Sequence, residues 1–412
     1  MNTTAQRALA IFVIACGLLA GLGYAATLVL STDRQRASEQ LGAVTGFALF
    51  AATVGGFWLL ATFRSGRDGG QGTTWLPPTW LSFALLVAVA GAGFGLAYLD
   101  RAVYLAPLLA PLAFVAVGAF FLRLAASWMP GRRLPLRSVL LPGAWGVFIA
   151  PLILMILQGS AAVVILMGAI TGILVDNPDF ELDPNLEERI SEYVDESGTE
   201  ATSTALPDIF AESPTIALSL FSLVAVVAPL SEELVKALGA IIVLTRLPVV
   251  TRADALFAGL AAGLGFALFE GVGYTLGAGA AWHQLLVARA PVVIMHVAAT
   301  TIVVMGWYRM RETGRGFIPY FIAGTALHAG WNALYVGFIY SLTGIEAGAD
   351  PSAGQAAGIL AMVLLLGALF VAASAWFVTI ARKTGLGERE VALVREPLNQ
   401  LQTSSAAISG RG

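Results

Sequence analysis

Runs of about twenty apolar residues, broken by short polar stretches, recur along the whole chain. A helix needs about 20 mainly apolar residues to cross a bilayer. Ten stretches meet that length: Ala8–Leu30, Leu41–Phe63, Trp80–Leu99, Ala102–Leu122, Val139–Leu174, Ile216–Leu244, Ala255–Leu276, Leu285–Trp307, Phe317–Tyr340 and Ala356–Ile380. The fifth and sixth are longer than a straight span requires, which predicts tilt, a kink or an extension beyond the bilayer. Pro229 is the expected break in the sixth.

The polar connections carry a second pattern. Arg64 and Arg67 follow span two, Arg132, Arg133 and Arg137 span four, Arg246 and Arg252 span six, Arg309, Arg311 and Arg315 span eight, and Arg382 and Lys383 span ten. The excess of basic residues on cytoplasmic loops places all five segments, and both termini, in the cytoplasm. The opposite connections are nearly free of basic residues apart from Arg34, Arg36 and Arg101. One of them is long and acidic, running from Asp176 to Glu212 with Arg189 as its one base; Leu186, Ile190 and Val194 recur there at helical spacing, as in a short amphipathic helix lying on the membrane.

Composition agrees. The 412 residues are 58% hydrophobic and 12% charged, against about 25% charged in soluble domains, with mean hydropathy +0.80. That rules out a water-soluble or disordered chain. A net charge of −3 gives no nucleic-acid footprint, and one cysteine, Cys16, rules out a disulfide scaffold. The Val13–Cys16 stretch looks like a lipoprotein cleavage box, but apolar sequence continues to Leu30, as in an uncleaved span. Gly17/Gly21 and Gly259/Gly263 have the small-xxx-small spacing of close helix packing. The fold class is therefore all-α: a polytopic membrane helix bundle of about ten spans.

Ionisable residues inside a bilayer are costly and mark function. Spans one to five have essentially none in their middles. Span six carries Glu232, Glu233 and Lys236; span seven Glu270, four residues after Phe266; span eight His296, then Thr300; span nine His328 and Asn332. Counted from the basic or acidic residue at the cytoplasmic end of each span, Glu233, Glu270, His296 and His328 lie roughly 20–24 Å deep at about 1.5 Å per residue. Four helices thus bring polar groups to one level. Glu232 and Lys236, and His328 and Asn332, are spaced i,i+4, so each pair shares a helix face. Lys236 can offset carboxylate charge, and Asn332 can supply an amide donor beside His328. Two His and three Glu suit a catalytic metal with an open position. They suit equally well a metal-free site in which a carboxylate activates water and His polarises a carbonyl. His283, at the exterior end of span eight, reads as an interfacial residue.

Glu232-Glu233-x-x-Lys236, Phe266-x-x-x-Glu270, a lone His296 and His328-x-x-x-Asn332, in that order on four successive spans, resemble the motifs of PrsW-type intramembrane metalloproteases, distant relatives of the CAAX prenyl endopeptidases and the Abi bacteriocin-immunity proteins. The similarity covers roughly Leu220 to Leu334. In the CAAX relatives the second motif ends in His, where this chain has Glu270. The resemblance implies a CAAX-protease-like core and peptide-bond hydrolysis in or near the bilayer of a bacterial cell membrane. Its substrate would be a membrane-anchored protein such as a single-span anti-sigma factor. It implies catalytic roles for Glu232, Glu233, Glu270, His296, His328 and Asn332, with Lys236 as charge partner. Glu232 or Glu233 would be the general base, and zinc would be held by Glu270, His296 and His328, although Glu in place of the relatives' His leaves open whether Glu270 binds a metal or acts as a base.

The expected organisation is spans one to four over 1–138, span five with the acidic exterior loop over 139–215, a catalytic four-helix core over 216–340, span ten over 341–381 and a disordered cytoplasmic tail over 382–412. Two rivals share these residues. An ion-coupled or small-molecule transporter would also use midplane carboxylates and a proline-broken helix, but no internal repeat links the two halves of the chain. A membrane sensor without activity would use the acidic loop.

Overall fold

A computed structural model of the protein describes residues 3–64, 71–72, 76–99, 102–129, 133–134, 136–176, 214–247, 249–342 and 351–409. The acidic segment and its expected amphipathic helix lie outside the described residues. The helices are α1 (Thr3–Leu30), α2 (Arg34–Arg64), α3 (Thr79–Tyr98), α4 (Ala102–Ala126), α5 (Leu136–Ala144), α6 (Ala150–Asp176), α7 (Pro214–Ser222), α8 (Ala228–Thr245), α9 (Arg252–Gly277), α10 (Trp282–Arg289), α11 (Val292–Thr313), α12 (Phe317–Leu342) and α13 (Ala353–Ser409). Among the described residues, eight helical stretches are long and apolar enough to cross a membrane. In α2 the apolar part is shorter, Leu41–Gly56. The α12 helix falls outside the eight because Pro319, His328 and Asn332 lower its hydropathy. The architecture is an all-α polytopic bundle.

The two long spans are bent by one device. A π-helical turn, Trp145–Ile149, joins α5 to α6, and another, Leu223–Val227, joins α7 to α8. Each is followed by Ala-Pro: Ala150-Pro151 and Ala228-Pro229. In a π turn each N–H reaches the carbonyl five residues back, as Ala228 reaches Leu223. Proline has no N–H to continue that ladder. The break expected at Pro229 is present, and span five holds its counterpart.

At the centre lie α9 and α11, buried along most of their length. Glycines let their backbones meet. A Cβ on Gly263 would lie 2.5 Å from the His296 carbonyl oxygen, and one on Gly259 2.8 Å from Thr301 Cα. Across α9, Gly265 meets the Gly143 carbonyl of α5, and Gly271 receives the Phe114 ring of α4. Gly17 performs the same service between α1 and α2, where a Cβ would meet the Ala48 carbonyl. Outer faces remain apolar and exposed, as with Leu19, Leu22, Met155 and Ile156, which suits contact with lipid.

The connections after α2, after α4, before α9 and late in α13 gather at one end of the bundle. Gln71–Gly72 pairs antiparallel with Arg133–Leu134, Ser138 Oγ donates to buried Asp254 at 2.5 Å, and Gly385 packs on the Trp128 backbone. These are connections that the basic residues place together. The sequence predicts a disordered tail from 382, whereas α13 runs on to Ser409. Its first turns there are anchored, with Thr384 buried and Gly385 allowing the close approach to Trp128.

Candidate active site

Three of the central helices and the broken helix α8 bring the polar residues together. Glu232, Glu233 and Lys236 project inward from α8, Glu270 from α9, His296 and Thr300 from α11 and His328 from α12. All but Glu270 are buried. Glu233, wholly buried, accepts from three groups: Lys236 Nζ at 2.6 Å and His328 Nδ1 at 2.9 Å on Oε1, and Thr300 Oγ1 at 2.8 Å on Oε2. Glu232 Oε2 lies 3.3 Å from Lys236 Nζ and 3.7 Å from His328 Nε2. The Lys236 ammonium is thus closer to Glu233, three residues back, than to the i,i+4 partner expected from spacing.

The two imidazoles stand edge to face, 4.7 Å apart. Each is backed by a carboxylate. His328 Nδ1 is held by Glu233, and His296 Nε2 lies 2.8 Å from Glu270 Oε2. With those nitrogens carrying the protons, His328 Nε2 and His296 Nδ1 keep free lone pairs, the usual consequence of a carboxylate behind a metal-binding or catalytic imidazole. The first faces Glu232; the second lies 3.0 Å from Lys236 Nζ. Phe266 closes the cluster from α9, its ring 5.5 Å from His296 and 4.6 Å from Lys236 Nζ.

Glu270 is the most open of the carboxylates, its side chain 21% exposed. Its Oε2 also receives Arg289 Nη2 at 2.6 Å, and that guanidinium stacks on Tyr274. Sequence reasoning passed over Arg289. The signal was present: a charged residue inside the exterior half of span eight, where the cost of burying it calls for a carboxylate partner. Gln158 was also missed. From α6 its amide reaches Glu232 Oε1 and Ser231 Oγ, each at 3.3 Å, and nearby Trp145 donates to the Val235 carbonyl at 2.9 Å. A lone amide in an otherwise apolar span was the available clue.

Two expected placements differ. Asn332 does not serve His328; its Nδ2 donates to the Val224 carbonyl at 3.0 Å. Val224 lies five residues before Pro229 in the π turn, so its carbonyl has lost the main-chain donor that a non-proline residue would provide. His283, expected at the interface, is buried within the bundle. Its ring meets Phe94 at 4.5 Å, in space that Gly93 leaves free on α3.

Carboxylates and imidazoles converging inside an all-α membrane bundle are groups suited to hydrolysis, the chemistry that a membrane-embedded peptidase needs. Residues 201–347, which contain every one of these groups except Gln158 and Trp145, match the model of the PrsW family intramembrane metalloprotease. No curated protein and no solved structure matches the chain.

That family implies a metal, and the residues present fit one. Glu232, His296 and His328 each offer a ligand atom within 4.8 Å of the others, a two-His, one-carboxylate donor set suited to catalytic zinc. Glu270, expected as a ligand, stands behind His296, where Arg289 and the imidazole together occupy its Oε2.

Proposed function

We propose that the chain hydrolyses a peptide bond of a membrane-anchored protein at the centre formed by Glu232, Glu270, His296 and His328. The observation that carries this reading is the convergence of Glu232, His296 and His328, from three helices, with a carboxylate behind each imidazole. A metal held by those three residues would supply Lewis acidity toward the scissile carbonyl and its attacking water. Zinc is the ion the donor set favours.

The chain's own groups divide the remaining work. Glu270 is the water-activating carboxylate. Among the described residues, all its polar contacts fall on Oε2, and its side chain is partly exposed. It takes the proton of the attacking water and returns it to the leaving amine, the usual path of general acid–base catalysis. Arg289 fixes it in place. Glu233 is saturated by three donors and acts inward, orienting His328 and holding Lys236. Asn332 and Gln158 position α8.

The substrate expected from the resemblance is a single-span protein of the anti-sigma-factor type, cut in or near a bacterial cell membrane, with both termini of the protease in the cytoplasm. The test compares membrane-protein N-termini from cells carrying the parent chain and Glu232→Gln. The expected result is a small set of new termini, in or beside transmembrane segments, present with the parent and missing with the variant. Identical terminal profiles would contradict the assignment.

A further inference from the structure

The position a metal would take between Glu232 and the imidazoles is already held by a side chain. Lys236 Nζ lies 3.3 Å from Glu232 Oε2, 3.0 Å from His296 Nδ1 and 2.6 Å from Glu233 Oε1, with its side chain wholly buried. Two of those three atoms are ones a metal at Glu232, His296 and His328 would bind. The His296 lone pair can be given to an ammonium hydrogen or to a metal, not to both. Two cations within contact of one carboxylate oxygen would also repel each other strongly in a site this dry.

The geometry points to Lys236 as a built-in competitor for the metal: its ammonium fills the cation place between Glu232 and His296 and must swing out when a divalent ion enters. This rests on the metal-binding reading above. It explains the presence of a wholly buried lysine beside two carboxylates. Without any cation, Glu232 and Glu233 would be left buried and mutually repelling, which is strongly destabilising. The apo protein is thereby stable enough to assemble in the membrane, at the expense of metal affinity. When the binding-competent state is a minor one, apparent affinity falls by the fraction populated, so a competent state of about one in ten costs about tenfold.

The experiment is a zinc titration of the detergent-solubilised full chain, read by dissociation constant and by the shift in unfolding temperature. The chains compared are the parent, Lys236→Met, Arg289→Met and Glu232→Gln. Lys236→Met is expected to unfold at a lower temperature than the parent in chelator, and to recover on adding zinc. It should bind zinc about tenfold more tightly or better. Arg289→Met removes the same charge close by without emptying the cation place, so its affinity should change far less. Glu232→Gln should weaken zinc binding.

Equal tightening in the two methionine variants would reduce the effect to general charge and overturn the proposal. So would unchanged or weaker binding in Lys236→Met, or a Lys236→Met chain that zinc does not restore. If any of these occurs while Glu232→Gln still loses zinc, only the competition fails and the metal site stands. If the parent and Glu232→Gln bind zinc alike, the ligand assignment falls with it.

Discussion

Glu232 and Glu233 are adjacent and chemically identical, yet their surroundings give them different work. Glu233 is turned inward onto three donors, whereas Glu232 faces both imidazoles. Glu270 differs again, with its polar contacts on one oxygen and its side chain partly exposed. Glu270→Gln should therefore abolish peptide cleavage while leaving zinc affinity within a few-fold of the parent. In contrast, Glu232→Gln should reduce both. Cleavage of an identified substrate, measured beside zinc titration, checks the split; retained cleavage in Glu270→Gln would remove it as the base. Asn332 and Gln158 serve the scaffold of the same centre. Asn332→Ala removes the side-chain donor of the Val224 carbonyl, a contact on the exposed side of the bundle, and a hydrogen bond of this kind contributes about 0.5–1.5 kcal/mol. A lowered unfolding temperature should appear, with slower cleavage, since the π turn before α8 loses its tie to α12. An unfolding temperature equal to the parent's would show that water or another group serves that carbonyl.

At the scale of elements, depth is set by helix packing. Gly259 and Gly263 let α11 lie on α9, and this closeness lets Glu270 reach His296. Gly263→Leu would force the helices apart, and overpacking of this kind typically costs 1–3 kcal/mol. Cleavage should fall more steeply than stability, because the Glu270–His296 contact is the first to open; thermal unfolding and a cleavage assay on one preparation compare the two losses. The sequence contained much of this. Residues within one helix are related by periodicity, so Glu232 with Lys236 and the glycine pairs were legible, as was the shared depth of four spans, which can be counted from charged ends. Relations between helices were not. Nothing in spacing says that Glu233 rather than Glu232 takes the shortest contact with Lys236, that Asn332 turns to a carbonyl orphaned by Pro229, or that Gln158 of span five touches Glu232. Each depends on helix rotation, and one polar residue in an apolar span leaves that angle undetermined.

For the whole molecule, the helices before α7 are more than a membrane anchor. Phe47 of α2 packs on Phe269 at 5.2 Å, Phe114 of α4 fills the notch at Gly271, and α5–α6 contributes Trp145 and Gln158. These contacts bracket Glu270 and grip α8. The segment 201–347 alone should therefore fail to bind zinc with the affinity of the full chain, which a titration of the two in the same detergent would show. Topology is checked separately. The connections after α2 and α4 share one end of the bundle through their antiparallel pair, and the positive-inside rule leads us to expect that end in the cytoplasm. Reporters after Arg132 and at Arg311 should both be cytoplasmic, and one near Glu192 exterior; an exterior reporter at Arg311 would contradict the ten-span arrangement.

The central claim is that carboxylates and imidazoles from four helices act as one hydrolytic unit. Its most direct test is a double-mutant cycle in cleavage rate between Glu270→Gln and His328→Ala, using the full chain in lipid vesicles with a substrate identified from its new terminus. Groups that act together are grossly non-additive, so each single variant should lose nearly all activity and the pair should lose little more. Losses that are small and simply add would show two independent residues of a packed core, and would contradict the account.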